Sequence, residues 1–455
     1  MLSLLSTEYL KEFVLTSAPL IGSQIAMVLP VITCFVLVGS IGDTVAVTVY
    51  GLSYSIYNMF CLCFIISILE VAGANCSKEY GAGNYRKMAS FFYKTFLLIV
   101  MVVIGYYFFI QFTYEILVFL NIEPDVATKT ATLTQMSWLF NSILAFNMLL
   151  QTYLMSQDVI AELAYLNIGS ILIVILFGKL FIVDLGYHEI GIVYTKLIQE
   201  ILSFIYLVYL MMRRANKETL VLPSTSLFLD ELQPFLKKNV FSLLGVYGEY
   251  LAFEINTFFA AQLHNVADIA AWYTFDNFFI MVYFCSLGIS NTFRTRIGQA
   301  VGEGRIAYAR RKSIAFYFYT FVLSNVVLIL SWIYAEGISR VFLNNDEIIP
   351  KIAMCIRLMS FYTYAVLVLY SFFAMFRILN MDRYFFQMSA IVFPSLGAVL
   401  VWLFGFGMGY GLNGIVVGQG VGFDIVTLLF FIKVYYQTDW EQQCALEKNV
   451  ERLGH

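Results

Sequence analysis

The chain is predicted to be an all-α polytopic membrane protein with twelve transmembrane helices in two parallel-repeat, six-helix lobes. Three observations predict this class. Hydrophobic residues make up 60% of the 455 positions and charged residues only 13%, with a mean hydropathy of +0.79. Soluble domains carry roughly 25% charged residues, so this chain has too few charges to coat its apolar mass in water. Apolar runs of bilayer length recur from one end to the other. A glycine turn also appears twice, about half a chain apart.

A hydrocarbon core of about 30 Å needs roughly 20 apolar residues per helix. On that rule the spans fall at 13–38, 44–74, 90–113, 127–154, 160–183, 191–212, 239–263, 266–293, 313–334, 348–375, 384–409 and 412–436. The first run is too long for a signal-peptide core and shows no cleavage site, so it reads as a span. The lobes then cover 1–212 and 239–436, joined by a polar linker over 213–238 and followed by a tail over 437–455. In the linker, Leu227, Phe228, Leu232 and Phe235 are interleaved with or followed by Asp230, Glu231 and Lys237. That pattern suits a short interfacial helix entering span 7. An ordinary covered linker fits it equally well.

Basic residues set the orientation. Of the 27 lysines and arginines, 21 fall on the N-terminus, the loops after spans 2, 6, 8 and 10, and the tail. The opposite side or its margins hold Lys129, Lys179, Arg340 and Lys351. Positive charge is retained on the cytoplasmic side, so both termini are expected there. Lys351 and Arg357 are expected to snorkel to the outer interface.

Several classes drop out. A net charge of −3 leaves no basic stripe for nucleic acid. The three histidines are scattered and the seven cysteines lack C-x-x-C spacing, so no zinc, haem, disulfide framework or other cofactor is expected. The chain is not expected to be an enzyme. A monomer in the bilayer is expected, unless the chain is a subunit of a membrane complex.

The repeat lies after spans 2 and 8. The first copy reads Asn75-Cys-Ser-Lys-Glu-Tyr-Gly81-Ala-Gly83, and the second reads Arg296-Ile-Gly-Gln-Ala-Val-Gly302-Glu-Gly304. Each ends a long helix in a G-x-G turn before a basic stretch, and both fall on the same side. Two lobes in parallel orientation follow, a plan that places a transporter's substrate site at the repeat interface.

Ionisable side chains within spans are the first site candidates, because each costs about 2.5–3.5 kcal/mol to insert at a helix centre. Span 7 carries Glu249 and Glu254, five residues apart and so about 140° apart around the helix. One is expected to face the central cleft and the other a polar pocket of the C-terminal lobe. A carboxylate held away from water suits proton exchange near neutral pH; glutamates held by tyrosines for packing are the alternative. Span 8 adds Asp276 and Asn277, with Tyr283 beyond. Span 1 offers Gln24, and span 2 offers Asn58 and Glu70; buried amides such as the first two also serve as helix–helix contacts. Lys196 and Glu200, four apart in span 6, are expected to pair with each other. Asp424 in span 12 has no evident partner. Aromatic residues reach 17%, and a ring-lined cavity beside a carboxylate would suit a bulky cation.

These residues resemble the multidrug and toxic compound extrusion (MATE) family, its eukaryotic branch in particular, from about residue 15 to 445. Pro19-Leu-Ile-Gly-Ser-Gln24 is similar to the family's Pro-x-x-x-x-Gln, and Asn58 falls where animal members carry asparagine. Lys78-Glu-Tyr-Gly81-Ala-Gly83 resembles Q-x-x-G-A-G. Glu249-Tyr-Leu-Ala-Phe-Glu254 resembles E-W-W-x-[FY]-E. Gly288, Arg296, Ile297, Gly298, Gly302 and Gly304 resemble the family's span 8 signature, and Asn277 falls where members carry Asn or Glu. Thr438-Asp-Trp440 resembles the closing D/N-W.

The resemblance implies a V-shaped, two-lobed exporter of organic cations or secondary metabolites in exchange for protons. It implies coupling through the span 7 carboxylates by rocker-switch alternating access. Two departures stand out: Val366 lies where many eukaryotic members carry a span 10 acid, and Gly73 replaces an acid before the first turn, with Glu70 one helical turn away. Three rivals stay open: sodium coupling, a lipid flippase on the same scaffold, and a structural subunit without transport.

Overall fold

The computed structural model describes residues 7–40, 44–119, 122–223, 228–229, 232–263, 266–342 and 346–444. Among them the regular structure is helical throughout. In a bilayer only a helix or a closed barrel satisfies every backbone group internally. Twelve long helices follow one another. They are α1 (Thr7–Ser40), α2 (Thr44–Tyr57, a π-helical turn at Asn58–Leu62, then Cys63–Gly81), α3 (Tyr85–Ile110) and α4 (Pro124–Met155). Next come α5 (Ala161–Asp184), α6 (His188–Arg214), α7 (Leu232–Ala261) and α8 (Val266–Gly302). The last are α9 (Ile306–Phe342), α10 (Ile349–Ser360 and Thr363–Ile378), α11 (Asp382–Gly407) and α12 (Gly411–Gln437).

Eight of these are apolar and long enough to cross a membrane, and α10 makes a ninth when its halves, bent by 57°, count as one span. The other three, α4, α7 and α8, are equally long but more polar. Part of that polarity is inward: Thr134, Asn141 and Asn147 of α4 and Glu249 of α7 are all buried. The outward faces are apolar, as at Leu172 and Leu176 of α5 and Ile333 of α9. Several helices outrun the apolar stretches that announced them, α8 by reaching Gly302 and α9 by starting at Ile306. A helix closes its own hydrogen bonds and so continues past the hydrocarbon edge.

The chain divides into two compact units, one of Gly22–Asn239 and one of Met1–Ile21 with Val240–His455. The first residues therefore group with the C-terminal lobe, not with the lobe expected over 1–212. Their side chains explain this. Phe13 packs edge-on to Phe316 at 5.2 Å, Tyr9 meets Tyr308 at 5.8 Å, and Lys312 donates to Glu12 Oε1 at 2.6 Å. Arg296 donates to Thr16 Oγ1 at 3.0 Å. At Gly288 a Cβ would lie 2.5 Å from the Ile21 Cα, so α1 and α8 approach backbone to backbone there. Gly288 and Arg296, eight residues apart in the span 8 signature, both serve to seat α1.

In the linker, Phe228 is helical and half-buried, and Leu232–Lys238 forms the opening turns of α7 itself, with Phe235 buried and its ring 5.6 Å from Phe91. Leu227, Asp230 and Glu231 fall outside the described residues.

The two glycine turns have one geometry. In the first, Gly83 N bonds Tyr80 O at 3.1 Å and Asn84 N bonds Glu79 O at 2.9 Å. In the second, Gly304 N bonds Val301 O at 3.0 Å and Arg305 N bonds Ala300 O at 3.1 Å. Gly83 and Gly304 take φ of +73° and +76°, the left-handed cap that glycine adopts without steric cost. Gly81 and Gly302 are the last residues of α2 and α8.

Candidate functional site

The C-terminal unit centres its polar chemistry on Glu249, which is 4% exposed. Gly245 and Gly248 set its position. A Cβ on Gly248 would lie 2.2 Å from the Ala390 Cα, and one on Gly245 would lie 2.3 Å from the Phe385 ring. With no side chains on this face, α7 presses against α11, and Glu249 is turned into the unit. Its Oε1 accepts a short hydrogen bond from the Tyr370 hydroxyl.

Tyr370 stands on the second half of α10, just beyond the bend, and is 2% exposed. Ser290 of α8 donates to its carbonyl at 2.7 Å, and the Tyr283 ring meets its ring edge-on at 4.9 Å. Tyr370 lies one helical turn beyond Val366, the fully buried residue at the position of the missing acid. Span 10 thus brings a phenol, not a carboxylate, to Glu249. Sequence reasoning did not single out Tyr370, since a tyrosine among 31 carries no local signal.

The Tyr370 ring also meets Phe373 edge-on at 5.2 Å, and Tyr283 continues into a cluster of rings. Phe253 lies 5.6 Å from Phe279, 6.2 Å from Phe423 and 6.4 Å from Tyr283.

Glu254 takes the other direction, as the spacing predicts, and its side chain is exposed. Half-buried Asp276 of α8 is within its electrostatic range. Asn256, 5% exposed, keeps an Oδ1 without a protein partner among the described residues. Nothing is described of the Asn277 side chain. Gln24, Asn58 and Glu70 are partly buried and belong to the unit of Gly22–Asn239. Asn58 opens the π-helical turn of α2, a departure from α geometry that often marks a functional position.

That unit has its own buried polar network. Lys196 Nζ lies 3.6 Å from Glu200 and donates to Gln199 Oε1 at 2.6 Å. Asn147 of α4 donates to Glu200 Oε2 at 2.8 Å. The expected Lys196–Glu200 pair is present; Asn147 is an addition that pair spacing within one helix could not reveal.

Lys351 pairs with Asp268 at 2.5 Å and Arg357 with Glu336 at 3.1 Å, so each of the two cations expected at the outer interface meets a carboxylate. Asp424 is exposed, within electrostatic range of Tyr362.

Twelve long helices with inward carboxylates and a doubled half define an integral multi-pass membrane protein built by internal repetition. Comparison with known proteins gives the particular family. The family model described as MatE matches residues 19–180 and again 242–403, once in each half and over more than two thirds of the chain; the chain belongs to the MatE family. It is 23% identical to multidrug and toxin extrusion protein 1 of Homo sapiens over 62% of this chain and 49% of that one. It is 22% identical to the Xenopus tropicalis protein of that name over 75% of this chain and 59% of that one. The chain thus spans about half the length of the curated relatives it matches. Among solved structures, the eukaryotic MATE transporter AtDTX14 superposes with a TM-score of 0.87 at 16% identity, covering 98% of this chain and 99% of that one. A MOP superfamily transporter from Pyrococcus furiosus superposes with a TM-score of 0.83 at 13% identity, covering 94% and 95%.

Proposed function

We propose that this chain is a secondary active transporter that exports organic cations or amphipathic metabolites in exchange for protons, by rocker-switch alternating access. The observation that carries the reading is the buried Glu249, hydrogen-bonded by Tyr370, whose ring packs against Tyr283 and Phe373. Membership of the MatE family and the similarity to multidrug and toxin extrusion protein 1 support it. A buried carboxylate that is vacated by its cation binds a proton in its place, because an uncompensated charge away from water is costly. Competition between proton and cation for one carboxylate converts a pH gradient into export. Tyr370 orients the carboxylate while the occupant changes. Glu254, with Asp276, tunes affinity from the opposite face of α7.

The test is flux of a panel of organic cations in proteoliposomes under an imposed pH gradient. Glu249→Gln keeps size and most hydrogen-bonding capacity but removes the exchangeable proton, so gradient-driven flux is expected to vanish at normal expression. Glu254→Gln is expected to weaken affinity or displace the pH profile without abolishing transport. Undiminished proton-driven flux in Glu249→Gln would refute the assignment. Flux that follows a sodium gradient instead would transfer coupling to sodium, and no flux with any cation would favour a structural role.

A further inference from the structure

Where α11 begins and α12 ends, the C-terminal unit has an open cavity of about 370 Å³. It sits at the ends of two membrane spans, Asp382–Gly407 and Gly411–Gln437, and so at headgroup depth. The Thr438-Asp-Trp440 motif, which the transport reading leaves unused, helps to build it. The Trp440 indole is 3% exposed and donates to the Val434 carbonyl at 2.8 Å, folding the tail back beneath α12. Thr438 Oγ1 donates to the Lys433 carbonyl at 2.8 Å. The folded-back segment then contributes Thr438, Asp439, Gln442 and Gln443 to the lining.

The charge in this cavity is cationic. Arg383 and Lys433 both line it, and neither has an ion-pair partner among the described residues; Lys433 lies 5.2 Å from the centre of the Tyr384 ring. The single lining carboxylate, Asp439, is engaged as a helix cap, its Oδ1 accepting from Glu441 N at 3.0 Å and Gln442 N at 3.2 Å. About one helical turn from Lys433 on α12, outside the cavity lining, Tyr436 is 78% exposed, with its ring 6.0 Å from that of Phe431. A soluble anion has no use for such an apolar shoulder, but an acyl chain does.

We propose that this cavity binds the headgroup of an anionic phospholipid. Arg383 takes the phosphate oxygens with its planar fork and Lys433 adds a point charge. The glutamine amides meet the polar headgroup, and the acyl chains leave the cavity past Tyr436. Basic clusters at a membrane boundary are drawn to anionic lipid by the surface field; here the folded tail gives that attraction a defined pocket. The proposal is independent of the transport reading.

The test uses the full chain in nanodiscs of phosphatidylcholine, with and without phosphatidylglycerol. Phosphatidylglycerol is expected to raise the thermal midpoint of the wild-type protein and to remain as an adduct in native mass spectrometry. Arg383→Gln with Lys433→Gln is expected to lose both effects while its midpoint in phosphatidylcholine matches wild type. If that variant fails to fold, the exchange Arg383→Lys with Lys433→Arg keeps the charge and is expected to keep the adduct. Equal adduct retention in the neutral variant, or loss of it in the charge-preserving exchange, would overturn the proposal. So would inorganic phosphate alone reproducing the full shift in phosphatidylcholine, since the ligand would then be a soluble anion.

Discussion

The hydroxyl of Tyr370 donates to the carboxylate of Glu249 across 121 residues of chain, one helical turn beyond Val366 on α10. A phenol can hold a carboxylate without competing for its proton. On the proposed mechanism, the charge that is exchanged and the group that orients it are separate residues on separate helices.

Tyr370→Phe removes only that donor. Hydrogen bonds to charged groups contribute about 1.5–3 kcal/mol, so proton-driven flux is expected to fall by roughly 10- to 100-fold with normal insertion. The check is initial-rate flux beside a surface-expression control; unchanged flux would mean that Tyr370 is packing alone.

In the other unit, the Lys196–Glu200 pair is expected to behave as a buried ion pair. Removing one partner of such a pair costs about 3–5 kcal/mol, because the remaining charge is stranded. Lys196→Met should therefore depress the thermal midpoint strongly. The double change Lys196→Met with Glu200→Leu should recover much of the loss. Additive losses in the cycle would show that the two charges do not interact.

The twin turns make a matched pair of predictions. No atom lies within 4 Å of a Cβ built on Gly83 or Gly304, so substitution there acts through the backbone alone. The left-handed conformation costs an L residue about 1–2 kcal/mol, less for asparagine. Gly83→Ala and Gly304→Ala should lower the midpoint by similar amounts, and the two asparagine variants by less. A reversed rank order would remove the left-handed cap as the reason for glycine.

The charge asymmetry gives a topological prediction. Tags at both termini should be reached only from the cytoplasmic side in intact cells and from both sides after permeabilisation. Labelling of either terminus from outside would reverse the assignment.

The amino-acid sequence by itself determined the class, the twelve helices, the doubled glycine turn, the Lys196–Glu200 pair and the prominence of Glu249. All of these are local. Hydropathy is set within one span, a left-handed cap within one turn, and an i,i+4 pair within one helix. The tertiary structure decided what depends on distant segments. It gave Glu249 its partner Tyr370, a position with no local signal, through the packing of α7 and α10 in one unit. It gathered residues up to Ile21 into the C-terminal unit, through rings and ion pairs some 300 positions away in the chain. It also paired Lys351 and Arg357 with carboxylates on α8 and α9. Hydropathy reports whether a residue belongs in a membrane; only close packing decides which side chain it meets there.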